Sequence, residues 1–517
     1  MQAQLEKAKS LVEILVRPSS NPLGKNNPAF ILHRGGEERE VNYDALDHLT
    51  SQAEVLLRSI NVGIGDKIVL ISPNSPELFA TMLAGFRVGA IVCPVDFRMT
   101  AAELVNIAKR IGVKAVVTER RLMKEIDKIE ADLKDTDIKI VDLADVVKQD
   151  KEAAIKSSLV DYKSLKDPAF LILTSGTTGM PKGALHDLES LVLNIDELAQ
   201  MAELTQGFKV VLPVPLSHVL GLEVTLAALL SGCTVIMSDM TIEGIIASNN
   251  KFKPEFLVGV PTIYGAMLSL DKTQVDFSSA KVLLCGGAPL TASLADQFET
   301  KHGKRLNNGY GSTESKIIAV NLSGPIESVG KIVPSCTIKI LDGQGKELPD
   351  GEEGEIVICG PMLMLGYIGQ TDETGKVIEG TCYHTGDIGH MDKGYLFISG
   401  RAKEMINVAG NKVFPAEVEG ALKNCPLVKE VAVIGVENSK LGQIVKAHIV
   451  TTDESLSNDL KHESTAKAAK ATLKEKLREF CGQNLKRELR PMEWVFYPAD
   501  HVLPRTLSGK IDKKQLS

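Results

Sequence analysis

Between Leu173 and Gly183 the chain reads Leu-Thr-Ser-Gly-Thr-Thr-Gly-Met-Pro-Lys-Gly. An apolar run leads directly into hydroxyl residues, glycines and a single lysine. Gly176, Gly179 and Gly183 let the backbone approach a ligand closely and adopt positive φ. The backbone N–H groups, with the hydroxyls of Thr174, Ser175, Thr177 and Thr178, can cradle phosphate oxygens. Lys182 adds a point charge. The pattern is not GxxxxGK[ST], because Gly183 follows Lys182. Read by itself, the segment is either a phosphate cradle or a surface loop rich in Ser, Thr and Gly.

A phosphate cradle needs a rigid strand behind it. From about residue 65 to 290, short apolar runs alternate with helical patterns. Candidate strands cover 67–72, 90–95, 114–119, 170–175, 234–238 and 281–285. Between the first two, Leu78, Phe79, Met82, Leu83 and Phe86 fall on one face of a helix. This alternation predicts an α/β fold with doubly wound, mostly parallel sheets. Ligands in such sheets bind at the carboxyl ends of the strands. From about 320 to 400, runs joined by Gly- and Asp-containing turns predict a small β-rich subdomain. A compact α+β unit, 404–517, is expected after a junction at 401–403, with strands in Val428–Val436 and Lys446–Val450 and a helix near 464–487 behind a polar loop at 452–463. Residues 1–400 form the large unit in this reading.

Four further segments follow in order: Gly-Tyr-Gly-Ser-Thr-Glu at 309–314, Tyr-His-Thr-Gly-Asp at 383–387, Gly-Arg-Ala-Lys-Glu-Met-Ile at 400–406 and Pro-Arg-Thr-Leu-Ser-Gly-Lys at 504–510. Together with the phosphate segment, this series resembles the signature motifs of the adenylate-forming (AMP-binding) superfamily, in its acyl- and aryl-CoA synthetase branch. The resemblance covers essentially the whole chain. It implies ATP, Mg²⁺ and coenzyme A as cofactors and a small carboxylic acid as substrate. The phosphate loop implied by it comprises Thr174, Ser175, Gly176, Thr177, Thr178, Gly179 and Lys182. Glu314 would be the Mg²⁺ ligand, since a carboxylate beside a triphosphate is repelled unless a cation bridges them. Thr313 would meet the α-phosphate. Asn308, Gly309 and Tyr310 would line the adenine slot, opposite Gly287, Ala288 and Pro289, and the segments Val258–Thr262 and Gly309–Gly311, apolar or small, would line the acyl pocket. Asp387 and Arg401 would hold the ribose. Lys510 would bridge the carboxylate and the α-phosphate as negative charge grows there. His218, in Pro-Leu-Ser-His, would sit near the substrate carboxylate. Cys382 and Ser217 stand where many relatives carry aromatic residues.

The same resemblance implies a second step on a rotated C-terminal unit, with Lys403 at the pivot and Gly410 lining a pantetheine tunnel. A plain turn glycine is the other reading of Gly410. Lys316 is unexpected. Turned inward it could pair with a second carboxylate of a dicarboxylic acid; turned outward it is solvated, the commoner state of a charged side chain. The readings left open are an acyl-CoA synthetase acting on a fatty or aromatic acid, an enzyme loading a carrier-protein thiol, and a non-catalytic nucleotide-binding relative.

Net charge is −7, which gives no sign of a nucleic-acid partner. Hydrophobic residues make up 44%, as in ordinary soluble chains, and no apolar run reaches the length of a transmembrane helix. The N-terminal residues predict an amphipathic helix ending near Pro18, with no signal-peptide pattern. The eight cysteines are scattered without a CxxC pair. They predict buried, reduced thiols in a cytoplasmic protein, with neither zinc site nor disulfide framework. A homodimer is compatible with all of this.

Overall fold

A computed structural model describes residues 2–24, 27–122, 125–149, 164–174, 181–505 and 511–516. Two large sheets face each other across a layer of helices. The first runs Gly366–Tyr367, Lys182–Asp187, Pro168–Thr174, Ile91–Val95, Lys67–Ile71, Ala115–Thr118 and Lys139–Asp142. Only its first two pairings are antiparallel. The second has a parallel half in the order Pro28–Arg34, Thr234–Ser238, Lys209–Leu212, Phe256–Gly259, Val282–Cys285 and Asn307–Ser312. It continues as antiparallel strands from Lys316–Asn321 onward. The doubly wound, mostly parallel arrangement expected from the alternating pattern is therefore present.

Helices Pro76–Arg87, Leu188–Met201 and Val219–Leu230 fill the space between the sheets. Their buried side chains share one core with Ile68, Leu70 and Val92 of one sheet and with Val210, Leu212 and Val235 of the other. A helix enclosed on all sides must be apolar all round, and Val219–Leu230 is nearly so. Its exceptions are Glu223 and Thr225, both buried. Helix starts follow ordinary capping chemistry: the Ser75 side chain accepts from Leu78 N–H, with Pro76 at the first helical position, and the Asp187 side chain accepts from Ser190 N–H.

From Ile406 onward the strands form a sheet of their own, Ile406–Val408, Asn411–Val413, Val428–Asn438, Gly442–Thr451 and Glu493–Tyr497. Helix Glu463–Asn484 packs on it through Ala469, Leu473, Leu477 and Cys481, spaced four residues apart. The stretch expected to be a polar loop at 452–463 holds a helix, Glu454–Leu460. The Asp453 side chain caps it by accepting from Leu456 N–H, a local signal that outweighs the polar composition.

The cysteine expectation also needs correction. Cys359 and Cys382 lie opposite one another on antiparallel strands Gly354–Cys359 and Cys382–Asp392 and are joined as a disulfide, with Cα atoms 4.0 Å apart. Strand register, not sequence spacing, brings them together. Cys93, Cys233, Cys285, Cys336, Cys425 and Cys481 are free thiols.

Candidate functional site

The site gathers around the hairpin formed by Asn307–Ser312 and Lys316–Asn321, whose first strand pairs in parallel with Val282–Cys285. Gly309, Tyr310 and Gly311 lie on its first strand and Thr313 and Glu314 in its turn. Close approach explains the second glycine. A Cβ on Gly311 would lie 2.2 Å from the Lys316 carbonyl oxygen. Tyr310 Oη donates to Asp387 Oδ2 at 2.6 Å, and Arg401 Nε lies 3.0 Å from Asp387 Oδ1. Asp387 and Arg401 are direct partners across their strand pair. Burial, and then the Asp387 charge, push the Tyr310 phenol far above its ordinary range, so it remains a donor. An aromatic face, a buried carboxylate and a guanidinium thus stand together, a set that suits a nucleoside.

The opposite wall is the turn after Val282–Cys285. Gly287 has φ +76°, in the left-handed region that favours glycine. A Cβ on Gly286 would meet Leu220 at 3.4 Å and the Gly309 carbonyl oxygen at 3.9 Å; one on Gly287 would meet Val260 at 3.6 Å. Ala288 and Pro289 continue this wall. Leu220 and Val260 give it an apolar surface.

Thr174 ends strand Pro168–Thr174, and Lys182 opens its antiparallel partner. Residues Ser175, Gly176, Thr177, Thr178 and Gly179 between them lie outside the described residues, as does Lys510. Lys182 Nζ lies 2.6 Å from Glu373 Oε2 and 4.9 Å from the centre of the Tyr367 ring. Bonds from Lys182, and then Lys376, hold the Glu373 carboxyl down at about 2. Tyr367 Oη donates to Glu314 Oε1 at 2.8 Å. Burial, and then the Glu314 charge, raise the Tyr367 phenol. Tyr367 and Glu373 were not anticipated from sequence. Tyr367 reaches the site through a two-residue strand, too short to show any periodicity.

His218 immediately precedes helix Val219–Leu230 without a side-chain capping bond, and its Nε2 lies 3.7 Å from Asp96 Oδ2. Burial alone would raise Asp96, but bonds from Arg98 and His218 outweigh it and hold the carboxyl well below its usual range. Arg98 grips both Asp96 oxygens, at 2.8 and 2.5 Å. Asp96 lies in no motif and was not anticipated from sequence. Lys403 sits in the short helical turn Ala402–Glu404. Burial, and then the Arg401 charge, lower its ammonium. Gly410 has φ +90° in the hairpin after Ile406–Val408, and a Cβ there would meet nothing within 4 Å. In this conformation it behaves as a turn glycine.

Lys316 departs from the outward, solvated expectation. Its side chain is fully buried, its Nζ donates to Ser190 Oγ at 3.1 Å and to the Met362 carbonyl, and its φ is +62°. Left-handed backbone costs a non-glycine residue roughly 1 kcal/mol. Its ammonium is satisfied by protein groups; burial lowers its proton affinity, and Asp187 and then Glu223 lie near enough to stabilise its charge.

The residues present fit a magnesium nucleotide. Mg²⁺ typically takes one or two carboxylates together with substrate phosphates. Glu314 offers one carboxylate beside the phosphate strand, and no cluster of three or more metal-binding side chains occurs among the described residues.

The family model described as AMP-binding enzyme matches residues 22–368, and that for the AMP-binding enzyme C-terminal domain matches 417–510. A feruloyl-CoA synthase from Amycolatopsis sp is 32% identical over 424 residues, covering 80% of this chain and 84% of that protein. A long-chain-fatty-acid–CoA ligase from Escherichia coli O6:H1 is 30% identical over 450 residues, covering 79% and 80%. Among solved structures, an ATP-bound RpMatB-BxBclM chimera superposes with a TM-score of 0.81 at 25% identity, covering 98% of each chain. Among the described residues, no helix is long and apolar enough to cross a membrane.

Proposed function

Given that the chain belongs to the AMP-binding enzyme family, we propose that it is an AMP-forming acyl-CoA synthetase acting on a fatty or aromatic acid. The observation that carries this reading is the Tyr310–Asp387–Arg401 cluster facing the Gly286–Pro289 turn at the strand ends. Tyr310 offers its face to adenine, and Asp387 can accept from both ribose hydroxyls. The phosphate loop and Lys182 receive the phosphates. Glu314 would hold Mg²⁺, which when bound neutralises phosphate charge.

In the first step a carboxylate oxygen of the acid attacks the α-phosphorus, the bond to the pyrophosphate oxygen breaks, and an acyl-adenylate results. Lys510 is assigned to the growing charge, and His218, braced by Asp96, to the acid's carboxylate. In the second step the CoA sulfur attacks the acyl carbon and AMP leaves with the electron pair. The adenylate is already activated, so no protein thiol is required. Lys403 and Gly410 are assigned to the C-terminal unit's second orientation, with 401–403 as hinge.

The acid is assigned from the feruloyl and long-chain names of the relatives. Lys316 has its partners inside the protein and gives no reason to expect a second carboxylate. The proposed location is the cytoplasm, where ATP and CoA are both supplied.

The test is a panel of fatty, aromatic and dicarboxylic acids, scored for ATP- and Mg²⁺-dependent pyrophosphate release with and without CoA. CoA-dependent turnover of a fatty or aromatic acid is expected. Adenylation without turnover on CoA would transfer the acceptor role to a carrier protein. Silence across the panel would overturn the reading.

A further inference from the structure

Lys316 combines three features that a surface lysine lacks: complete burial, left-handed backbone and a fixed ammonium. It closes the turn that carries Thr313 and Glu314. The turn is braced within itself by Ser312 and Ser315, whose hydroxyls lie 3.0 Å apart. Several elements then grip it from outside. His186 Nε2 meets the Thr313 carbonyl at 2.8 Å. Glu223 Oε2 accepts from Ile317 N–H at 2.8 Å, and Asn194 donates to the Ile317 carbonyl at 3.0 Å.

The segment 362–367 is bound to the turn at three points. Lys316 Nζ donates to the Met362 carbonyl, Met364 N–H donates to the Glu314 carbonyl at 2.8 Å, and Tyr367 Oη donates to the Glu314 carboxylate at 2.8 Å. The last of these contacts orients the carboxylate assigned to Mg²⁺. The first fixes the segment that delivers it. Lys316 also reaches Ser190 on helix Leu188–Met201, so one side chain ties turn, helix and segment together.

We propose that Lys316 is a positioning residue for adenylation: its buried ammonium locks segment 362–367 against the Thr313–Glu314 turn and so holds Glu314 in place for the magnesium nucleotide. The proposal rests on the assignment of Glu314 made above. A buried cation with no link to the site would be an expensive substitute for apolar packing. This one occupies backbone that glycine would adopt without strain, and its contacts lead to the carboxylate.

The experiment compares wild-type protein with Glu314→Gln, Lys316→Gly, Lys316→Met and Lys316→Met/Glu223→Gln. Each is assayed in two half-reactions: acid-dependent ATP–pyrophosphate exchange, and thiolysis of supplied acyl-adenylate by CoA. Glu314→Gln separates the two ideas. If it leaves exchange and the KM for MgATP unchanged, the assignment of Glu314 fails and the proposal falls with it. If it impairs exchange, the Lys316 variants decide.

The expected result is a kcat/KM for MgATP reduced about 10- to 100-fold in both Lys316→Gly and Lys316→Met, the scale of an approximately 1 Å misplacement. Most of the loss should appear in KM, with thiolysis within about twofold of wild type. Lys316→Gly relieves the backbone, so a purely conformational role predicts that this variant stays fully active. The double variant removes Lys316 together with the Glu223 charge and guards against misfolding of Lys316→Met, while Asp187 keeps the bond it accepts from Ser190 N–H; it should melt close to wild type and still show the MgATP defect. Full exchange activity in Lys316→Gly, or an equal fall in both half-reactions, would overturn the proposal.

Discussion

Gly221 is the residue whose replacement should report most directly on the His218 segment. A Cβ at this position would stand 2.2 Å from the Pro215 carbonyl oxygen and 3.2 Å from that of Val214. Ordinary contact begins near 3.4 Å, so Gly221→Ala requires the Pro215 peptide to retreat by roughly 1 Å, within the 1–3 kcal/mol usual for overpacking. The neighbours resist that movement. Asn74 clamps the segment from both sides, donating to the Val214 carbonyl at 2.9 Å and accepting from Leu216 N–H at 3.0 Å. His218 N–H donates to the same Pro215 oxygen at 3.2 Å, so a shift there is transmitted to His218. A displacement of about 1 Å at a group that orients a reactant costs about 100-fold in rate. The assay is acid-dependent ATP–pyrophosphate exchange with the best acid from the panel, alongside thermal melting. The expected result is a melting temperature a few degrees lower and a kcat/KM for the acid reduced about 30- to 100-fold, with KM for MgATP changed far less. An alanine variant with native melting and native exchange would refute the reasoning, because it would mean that the segment yields freely.

Tyr367→Phe removes a bond that orders the Glu314 carboxylate; freeing one side chain is worth about 0.5–1.5 kcal/mol, so the KM for MgATP should rise roughly 2- to 10-fold while KM for CoA stays constant. Asp96→Asn removes the charge facing His218; a loss of about 1 kcal/mol predicts a roughly fivefold weaker KM for the acid, and an unchanged value would show that Asp96 does not brace His218. His448 is held neutral by burial, and then by Lys446, its value lowered from 6.5 to about 4. The unfolded chain takes up this proton first, so stability is intact above pH 6.5 and is lost progressively on acidification toward about 4. Urea midpoints at pH 7 and pH 5 measure this, and His448→Gln should flatten the difference.

The elements were legible because their signals are local. The strands behind the phosphate loop are unbroken apolar runs, helix Pro76–Arg87 carries its apolar face at helical spacing, and Glu463–Asn484 shows four buried residues at steps of four. Parts of the site were legible for another reason: Tyr310, Glu314, Asp387 and Arg401 sit in ordered motifs. What escaped depends on pairing across long distances. Tyr367 and Glu373 meet Lys182 from more than 180 residues away, through a two-residue strand. Cys359 and Cys382 became partners through register, which composition does not encode. Helix Glu454–Leu460 was hidden by its polar surface, although its cap, Asp453, stood in plain view.

Two lysines of the site show how environment, rather than residue type, assigns a role. Lys182 and Lys316 both neighbour carboxylates, and both lie beside the Glu314 turn. Lys182 and its partner Glu373 are both partly exposed. A pair that solvent reaches is weakened by water and screened by salt. A triphosphate carries more charge than one carboxylate and can draw Lys182 away at little cost, which suits a residue that must bind and release. Lys316 cannot make that exchange. Burial lowers its proton affinity and raises that of Glu223; the charges of Asp187 and then Glu223 stabilise the ammonium, and Lys316 in turn stabilises the Glu223 carboxylate. A group so placed cannot swing toward an incoming acid and back in each cycle. The same argument turns the unexpected lysine beside Glu314 from a reader of the substrate into part of the frame that holds Glu314 still.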